Sequence, residues 1–361
     1  MAKGSVKKAC DISPIIGKDD WILVTGAGGF IGAAVIEQLL ARGYRKVRCF
    51  VRSSSSAARL RAIAATSGGQ VKLELLEGNL LSRADCQKAT RDIEVIFHLA
   101  AGRGEKSFPD AVLNSVVTTR NLMEASLSEA RLRRFVNVSS FSVYSGSKAR
   151  GHRVLDESWP LEPHPEQRGE AYAFAKLRQD EIVMEYGAKF RLPYVIVRPG
   201  HVYGRGNEAI SARVGIGTFG IFLHLGGPNH IPLTFVENCA EAIILAGVTP
   251  GVEGHAFNVV DDNLPSSREF LRLYKKKVRR FRSVYVPHSV SYFLCCLWEW
   301  YSIRSHGQLP LAFNRRRWYA FWGKNAYSNR KAKEFLGWSP RISMREGLDL
   351  YFEACRRRIL A

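Results

Sequence analysis

Residues 21 to 32 read Trp21-Ile22-Leu23-Val24-Thr25-Gly26-Ala27-Gly28-Gly29-Phe30-Ile31-Gly32. A short apolar run, Trp21 to Val24, leads straight into glycines, and an amphipathic pattern follows from about Phe30 to Arg42. Strand, glycine turn and helix in that order are the required context for a dinucleotide-binding turn. Gly26 lets the chain turn out of the strand, Gly29 lets backbone approach a pyrophosphate, and Gly32 lets the helix pack close to the sheet. The first helical N–H groups, at Phe30, Ile31 and Gly32, have no partner within the helix and face the phosphates with the positive end of the helix dipole.

Working outward, the first half alternates strands and helices. Strands are predicted at 21–25, 46–51, 71–77, 95–99, 134–139 and 194–198, with helices at 31–42, 57–65, 84–90, 111–129 and 172–190. Most of these strands are apolar on both faces, as in a buried parallel sheet. The fold class is therefore α/β: a Rossmann-type doubly wound parallel sheet with a smaller mixed α/β substrate lobe. The division expected is a flexible N-terminal arm over 1–19, a dinucleotide-binding domain over 20–200, and a lobe over 201–361 that interleaves with it. The arm is polar and basic and lacks the apolar core of a signal peptide. Near the end of the chain, Gly337 and Pro340 punctuate a helix stop.

The chain has 361 residues, 46% of them apolar, enough for a sizeable core. It carries 53 Lys and Arg against 33 Asp and Glu, a net charge of +20. That balance favours anionic partners such as a dinucleotide or an acidic membrane surface, or reflects solubility alone. No zinc finger, RNA-binding signature or repeat accompanies it, which argues against nucleic acid. Seven cysteines without a Cys-x-x-Cys predict neither a disulfide framework nor a zinc site, and so a reducing, cytoplasmic compartment.

One segment leaves two readings open. Lys275 to Arg282 is densely basic, and 283–303 is rich in Val, Phe, Leu, Cys, Trp and Tyr, interrupted by Pro287, His288 and Glu299. It is a poor transmembrane span. It is either a helix buried over an apolar substrate pocket or a membrane-surface segment, making 275–303 the candidate peripheral membrane contact.

The chemistry-bearing residues follow the sheet. Tyr172 and Lys176 stand four apart, so a helix places them on one face, one turn apart. An isolated phenol has a pKa of about 10, and a nearby ammonium pulls it toward neutral pH. Ser140 lies at the end of the strand 134–139, where its hydroxyl can hold a substrate oxygen. Ser, Tyr and Lys form a proton-transfer set suited to hydride chemistry beside a nicotinamide. The second strand ends Phe50-Val51-Arg52-Ser53-Ser54 without a carboxylate for a ribose 2′-hydroxyl. Arg52, helped by Ser53 and Ser54, suits a 2′-phosphate, so NADP is preferred and NAD remains possible.

In this order of motifs the chain resembles an extended short-chain dehydrogenase/reductase, similar to the NAD-dependent epimerase/dehydratase type. The matching stretches are Thr25–Gly32, His98-Leu99-Ala100-Ala101, Ser139–Tyr144, Tyr172–Lys176, Arg198–Gly204 and Leu336–Pro340. The resemblance implies that Tyr172 is the catalytic acid/base, that Lys176 lowers its pKa and holds the nicotinamide ribose, and that Ser140 orients the substrate. It also implies that Leu99, Ala100 and Ala101 pass the ribose and phosphates, and that Pro199 and Val202 line the nicotinamide side. Asn79 and Leu80 fall at the adenine position, where the family often has Asp. Asn114 matches the family's helix asparagine, which contacts the cofactor region or kinks its helix. A homodimer through the fourth and fifth helices is implied as well.

Sugar-nucleotide members carry an Arg that holds the diphosphate; the corresponding stretch here, Gly226 to Asn238, has none. The chain looks more like the 3β-hydroxysteroid dehydrogenase-type branch, which implies hydride transfer on a lipophilic alcohol or ketone. Arg205 and Arg213 are the residues able to take phosphates in the alternative, a sugar-nucleotide epimerase or reductase with tightly bound NAD. Phe141-Ser142 offers no acid for dehydration. The reading from a different class is a non-catalytic NADP-binding sensor or scaffold, against which the presence of both Tyr172 and Lys176 counts.

Overall fold

The computed structural model describes residues 13–53, 58–66, 71–102, 107–146, 154–305, 308, 310 and 312–360. The first half runs β1 (Trp21–Thr25), α1 (Phe30–Ala41), β2 (Lys46–Val51), α2 (Ala58–Thr66), β3 (Lys72–Glu77), α3 (Arg83–Thr90) and β4 (Val95–His98). It continues through α4 (Phe108–Ala111), a π-helical stretch (Val112–Val117), α5 (Thr118–Ser126), β5 (Arg134–Val138), the short β6 (Val154–Leu155), α6 (Ala171–Phe190) and β7 (Tyr194–Pro199). The second half holds β8 (His201–Tyr203), β9 (Gly215–Thr218), β10 (Ile221–His224), β11 (Leu233–Phe235), α7 (Val236–Val248) and β12 (Ala256–Val259). It ends with α8 (Ser267–Lys277), β13 (Ser283–Tyr285), α9 (His288–Arg304), α10 (Arg315–Trp322), β14 (Ala326–Tyr327), α11 (Arg330–Leu336) and α12 (Met344–Leu360).

The main sheet has seven strands in the order β12-β7-β5-β4-β1-β2-β3, and every pair is parallel. The strand order reverses between β1 and β4. A ligand of such a sheet sits beyond the carboxyl ends of the strands at that switch point. One face is covered by α1, α2 and α7, which share a core with Val24, Phe97 and Val197. The other is covered by α3, α5 and α6, which bury Leu23, Ile96 and Phe135. Both faces are sealed, which accounts for strands apolar on both sides.

Three expectations need correction. Residues 13–19 are not part of a loose arm: Ile16 is buried in the main core, and the Ile15 N–H donates to the Val248 carbonyl at 2.9 Å. The rest of that arm lies outside the described residues. A seventh strand, β12, comes from the lobe and pairs with β7 at the sheet edge. The single helix expected over 111–129 is broken by π-helical turns. Side chains take the helix carbonyls there: Thr118 Oγ1 donates to the Asn114 carbonyl at 3.0 Å, and Gln179 Nε2, from α6, to the Ser115 carbonyl at 3.2 Å.

The lobe has a separate core around Tyr203, Phe235, Phe270 and Tyr351. The small sheet β13-β10-β9 and the pair α9–α10 form its outer part. Among the described residues, no helix is long and apolar enough to cross a membrane.

Candidate active site

At the switch point the chain leaves β1 through Gly26, whose φ is +67°. That left-handed turn favours glycine, and a Cβ there would stand 2.9 Å from the Ala100 nitrogen. A Cβ on Gly32 would fall on the Gly26 carbonyl oxygen. The turn is thus packed so closely that only glycine fits at either position. Helix α1 begins after Gly29, and no side chain caps it. The N–H groups of its first turn face the mouth of a cleft of 480 Å³ lined by Gly26, Gly29, Phe30, Ile31 and Gly32. A cradle filled by any added Cβ, together with an uncapped helix start, fits a dinucleotide pyrophosphate.

The same cleft receives Leu99 and Ala101 from the end of β4, Ser140 from the end of β5, Tyr172 and Lys176 from α6, and Pro199 and Val202 from the end of β7 and β8. Tyr172 stands in the first turn of α6 and is 39% exposed, whereas Lys176, one turn further, is buried. Lys176 Nζ donates to the Val138 carbonyl at 2.8 Å. Ser140 begins a short turn, and its Oγ accepts from the Ser142 N–H at 3.2 Å. The sheet thus brings the expected Ser, Tyr and Lys to one wall of the cleft.

Beneath them lies a buried polar layer. His98 bridges Thr25 Oγ1 and Thr119 Oγ1, each at 2.8 Å. Burial, reinforced by the Lys176 charge, pushes the His98 pKa down to about 3, so the ring is neutral. Asp180, one turn beyond Lys176, is fully buried and accepts from Arg198 Nε at 3.0 Å and Asn137 Nδ2 at 3.0 Å. These contacts fix the inner face of α6 to β5 and β7.

Of the other expected residues, Arg213 lines the cleft and the rest sit beside it. Arg52 is exposed at the end of β2, on the same sheet edge; Ser53 is half-buried, and Ser54 lies outside the described residues. Asn79 is exposed after β3, where its Oδ1 accepts from the Leu81 N–H at 3.0 Å. The Leu80 side chain turns into the core against Phe50 and Cys86. The Ala100 N–H donates to Thr25 Oγ1 at 3.3 Å. Asn114 donates to the Asp110 carbonyl at 3.0 Å in the π-helical break. Arg205 is exposed, and Arg213 lines the cleft.

The same cleft also holds Arg168 and Glu170, which spacing did not reveal, beside the expected Arg213. Arg168, buried, contacts Glu170 at 2.5 Å and donates to the Ser142 carbonyl at 2.6 Å. Its pKa is lowered by burial, with Glu170 opposing. Arg213 Nη1 donates to the Ala320 carbonyl at 2.7 Å, with its guanidinium 5.4 Å from the Phe321 ring centre. Phe321 of α10 and Phe141 complete an aromatic wall. The only sequence signal for Arg168 and Glu170 is their position just before Tyr172.

The model of the NAD dependent epimerase/dehydratase family matches residues 22–259, well over half of the chain. A 3-beta-hydroxysteroid dehydrogenase of Mycolicibacterium neoaurum is 26% identical over 347 residues, covering 91% of this chain and 89% of that protein. A UDP-glucose 4-epimerase of Mycolicibacterium smegmatis is 26% identical over 352 residues, covering 93% and 98%. The crystal structure of UDP-glucuronic acid 4-epimerase from Bacillus cereus, with UDP-glucuronic acid and NAD, superimposes with a TM-score of 0.70 at 20% identity, covering 93% of this chain and 99% of that one. The glycine turn, the sheet order and the family match together place this chain in the NAD dependent epimerase/dehydratase family, as an enzyme of the extended short-chain dehydrogenase/reductase type.

Proposed function

We propose that this protein is a dehydrogenase or reductase that interconverts a secondary alcohol and a ketone on a lipophilic substrate, with NADP preferred over NAD. When bound, the nicotinamide dinucleotide supplies or accepts the hydride. Tyr172 moves the proton: its phenol gives it to a carbonyl oxygen during reduction, or takes it from a hydroxyl during oxidation. The Lys176 ammonium, one turn away in a buried site, stabilises the phenolate and is placed to hold the ribose. Ser140 accepts from the Ser142 N–H, which turns its own O–H outward to donate to the substrate oxygen. Gly26, Gly29 and the first-turn N–H groups of α1 hold the pyrophosphate; Leu99, Ala100, Ala101, Pro199 and Val202 pack along the cofactor; Asn79 and Leu80 border the adenine, and Arg52 takes the 2′-phosphate.

The observation that carries the substrate class is how the cleft's arginines are spent. Arg168 is held by Glu170 and the Ser142 carbonyl, and Arg213 by the Ala320 carbonyl and the Phe321 ring. Arg168 is thus balanced by Glu170, and Arg213 is directed to a carbonyl and a ring, so beside Ser140 and Tyr172 the lining combines Phe321 and Phe141 with His201, Asn207 and Ser211. Its aromatic part suits an apolar ketone better than a sugar diphosphate. Arg213 is the one feature that favours the sugar-nucleotide epimerase reading. A homodimer through the helices after β4 and β5 belongs to the same proposal.

Denaturing the purified protein and identifying any dinucleotide released separates the two. Protein that emerges empty, binds NADPH more tightly than NADH and reduces lipophilic ketones supports the reductase. Near-stoichiometric retained NAD with turnover of a UDP-sugar would replace it by the epimerase.

A further inference from the structure

Helix α9 is built inside out. Its protein-facing positions are Ser291, Cys295 and Ser302, all buried, while Val290, Phe293, Leu294, Leu297, Trp300 and Tyr301 are exposed. At 3.6 residues per turn these six fall within about 120° of the circumference. Phe293 is 60% and Trp300 61% exposed. A continuous apolar stripe of this kind marks an interaction surface. The only acidic residue of α9, Glu299, is turned aside and paired with Arg315 at 2.9 Å.

Cations rim the stripe. Arg304 sits over the Trp300 ring at 6.0 Å, and Arg268 over the Tyr285 ring at 5.4 Å. Lys276, Arg279, Arg280 and Arg282 are exposed on the segment that feeds β13, and β13 itself exposes Val284 and Tyr285. On the same small sheet, the β9–β10 turn presents a fully exposed Phe219.

We propose that this face docks the protein on an anionic phospholipid surface, with α9 lying in the interface and the arginines and lysines on the headgroups. A second copy would bring a like-charged rim against this one; anionic lipid is the complementary partner. At 17 residues, α9 is about 25 Å long, too short to span and suited to lie flat. Its inner side packs on α10: Trp318 Nε1 donates to Ser291 Oγ at 3.0 Å, and Tyr292 meets the Trp318 ring edge-on at 5.1 Å. Phe321, about one turn further along α10, lines the cleft. The docked face therefore lies one helix from the cleft, and a lipophilic substrate would have a short path from the bilayer. That last consequence rests on the reductase reading; docking does not.

The test is co-sedimentation of the full chain with sucrose-loaded vesicles of phosphatidylcholine, with and without phosphatidylglycerol. Binding should require phosphatidylglycerol and weaken with salt. Leu294→Ser/Leu297→Ser and Arg279→Ala/Arg280→Ala should each weaken it by roughly tenfold or more. Ketone reduction in vesicle-free solution should be unchanged in both, so loss of docking is distinguishable from failure of the reductase reading. No sedimentation with anionic vesicles would overturn the proposal. So would light scattering showing a dimer that the leucine variant splits, which assigns the face to a second copy.

Discussion

Lys176 Nζ donates to the Val138 carbonyl at 2.8 Å, tying the helix that carries Tyr172 to the last residue of β5, two residues before Ser140. The ammonium is thereby fixed one turn from the phenol. Lys176→Met keeps the bulk and removes the charge. It should lower kcat by about a hundredfold and move the basic limb of the pH–rate profile upward by a unit or more. A pH profile identical to the parent would show that Lys176 does not tune the proton donor.

Gly32→Ala sets a methyl group on the Gly26 carbonyl, a backbone atom that cannot step aside. Thermal unfolding should report a loss of about 1–3 kcal/mol, and NADPH affinity should fall with it because the pyrophosphate turn must widen. Parent-like stability and affinity would mean that the turn is looser than described.

Arg52 is exposed at the end of β2, on the sheet edge where the ribose of a dinucleotide lies. Arg52→Ala should weaken NADPH binding about tenfold while changing NADH little, since only the former carries the 2′-phosphate. Isothermal titration with both dinucleotides decides it; equal weakening removes the case for NADP.

The buried His98 gives a pH dependence of stability. Burial, aided by Lys176, holds its pKa down to about 3 in the folded protein, against about 6.5 when unfolded. Below pH 6.5 the unfolded chain binds a proton that the folded one refuses. Stability is therefore full above that pH and is lost as pH falls from 6.5 toward 3, by up to about 1.4 kcal/mol per pH unit. His224, lowered to about 4 mainly by its own burial, adds to the same loss. Asp261, raised to about 7 by burial, pulls the other way over the same range, so the test is the difference in slope. From pH 7 to 4.5 the Tm of the parent should drop relative to that of His98→Gln, and parallel slopes would exclude His98 as a source.

The strands β1, β2, β4, β5 and β7 were legible because a parallel strand sealed on both faces leaves a mostly apolar run, and β3, the partly exposed edge strand, because its leucines are flanked by charges. β12 was not: it is four residues long, and its Asn258 reads as loop, yet that side chain is buried and accepts from the Tyr144 hydroxyl at 2.6 Å. Partners far apart in sequence decide such a strand. Gly26, Tyr172 and Lys176 could be read because turn geometry and helical spacing are local. Arg168 and Glu170 could not, since their loop has no periodicity and only the fold brings them to Ser142. The α9 segment was ambiguous because its outward stripe is more apolar than its inward one, and composition does not reveal which side faces the protein.

Turnover and cofactor binding measured side by side in Tyr172→Phe test the central claim most directly. The ring stays and only the proton-carrying hydroxyl is lost. The account predicts that alcohol–ketone turnover falls by about a thousandfold or more while NADPH affinity stays within twofold or so of the parent. Turnover retained in Tyr172→Phe would contradict the assignment of Tyr172 as the proton-transfer residue, and with it this account of the chemistry.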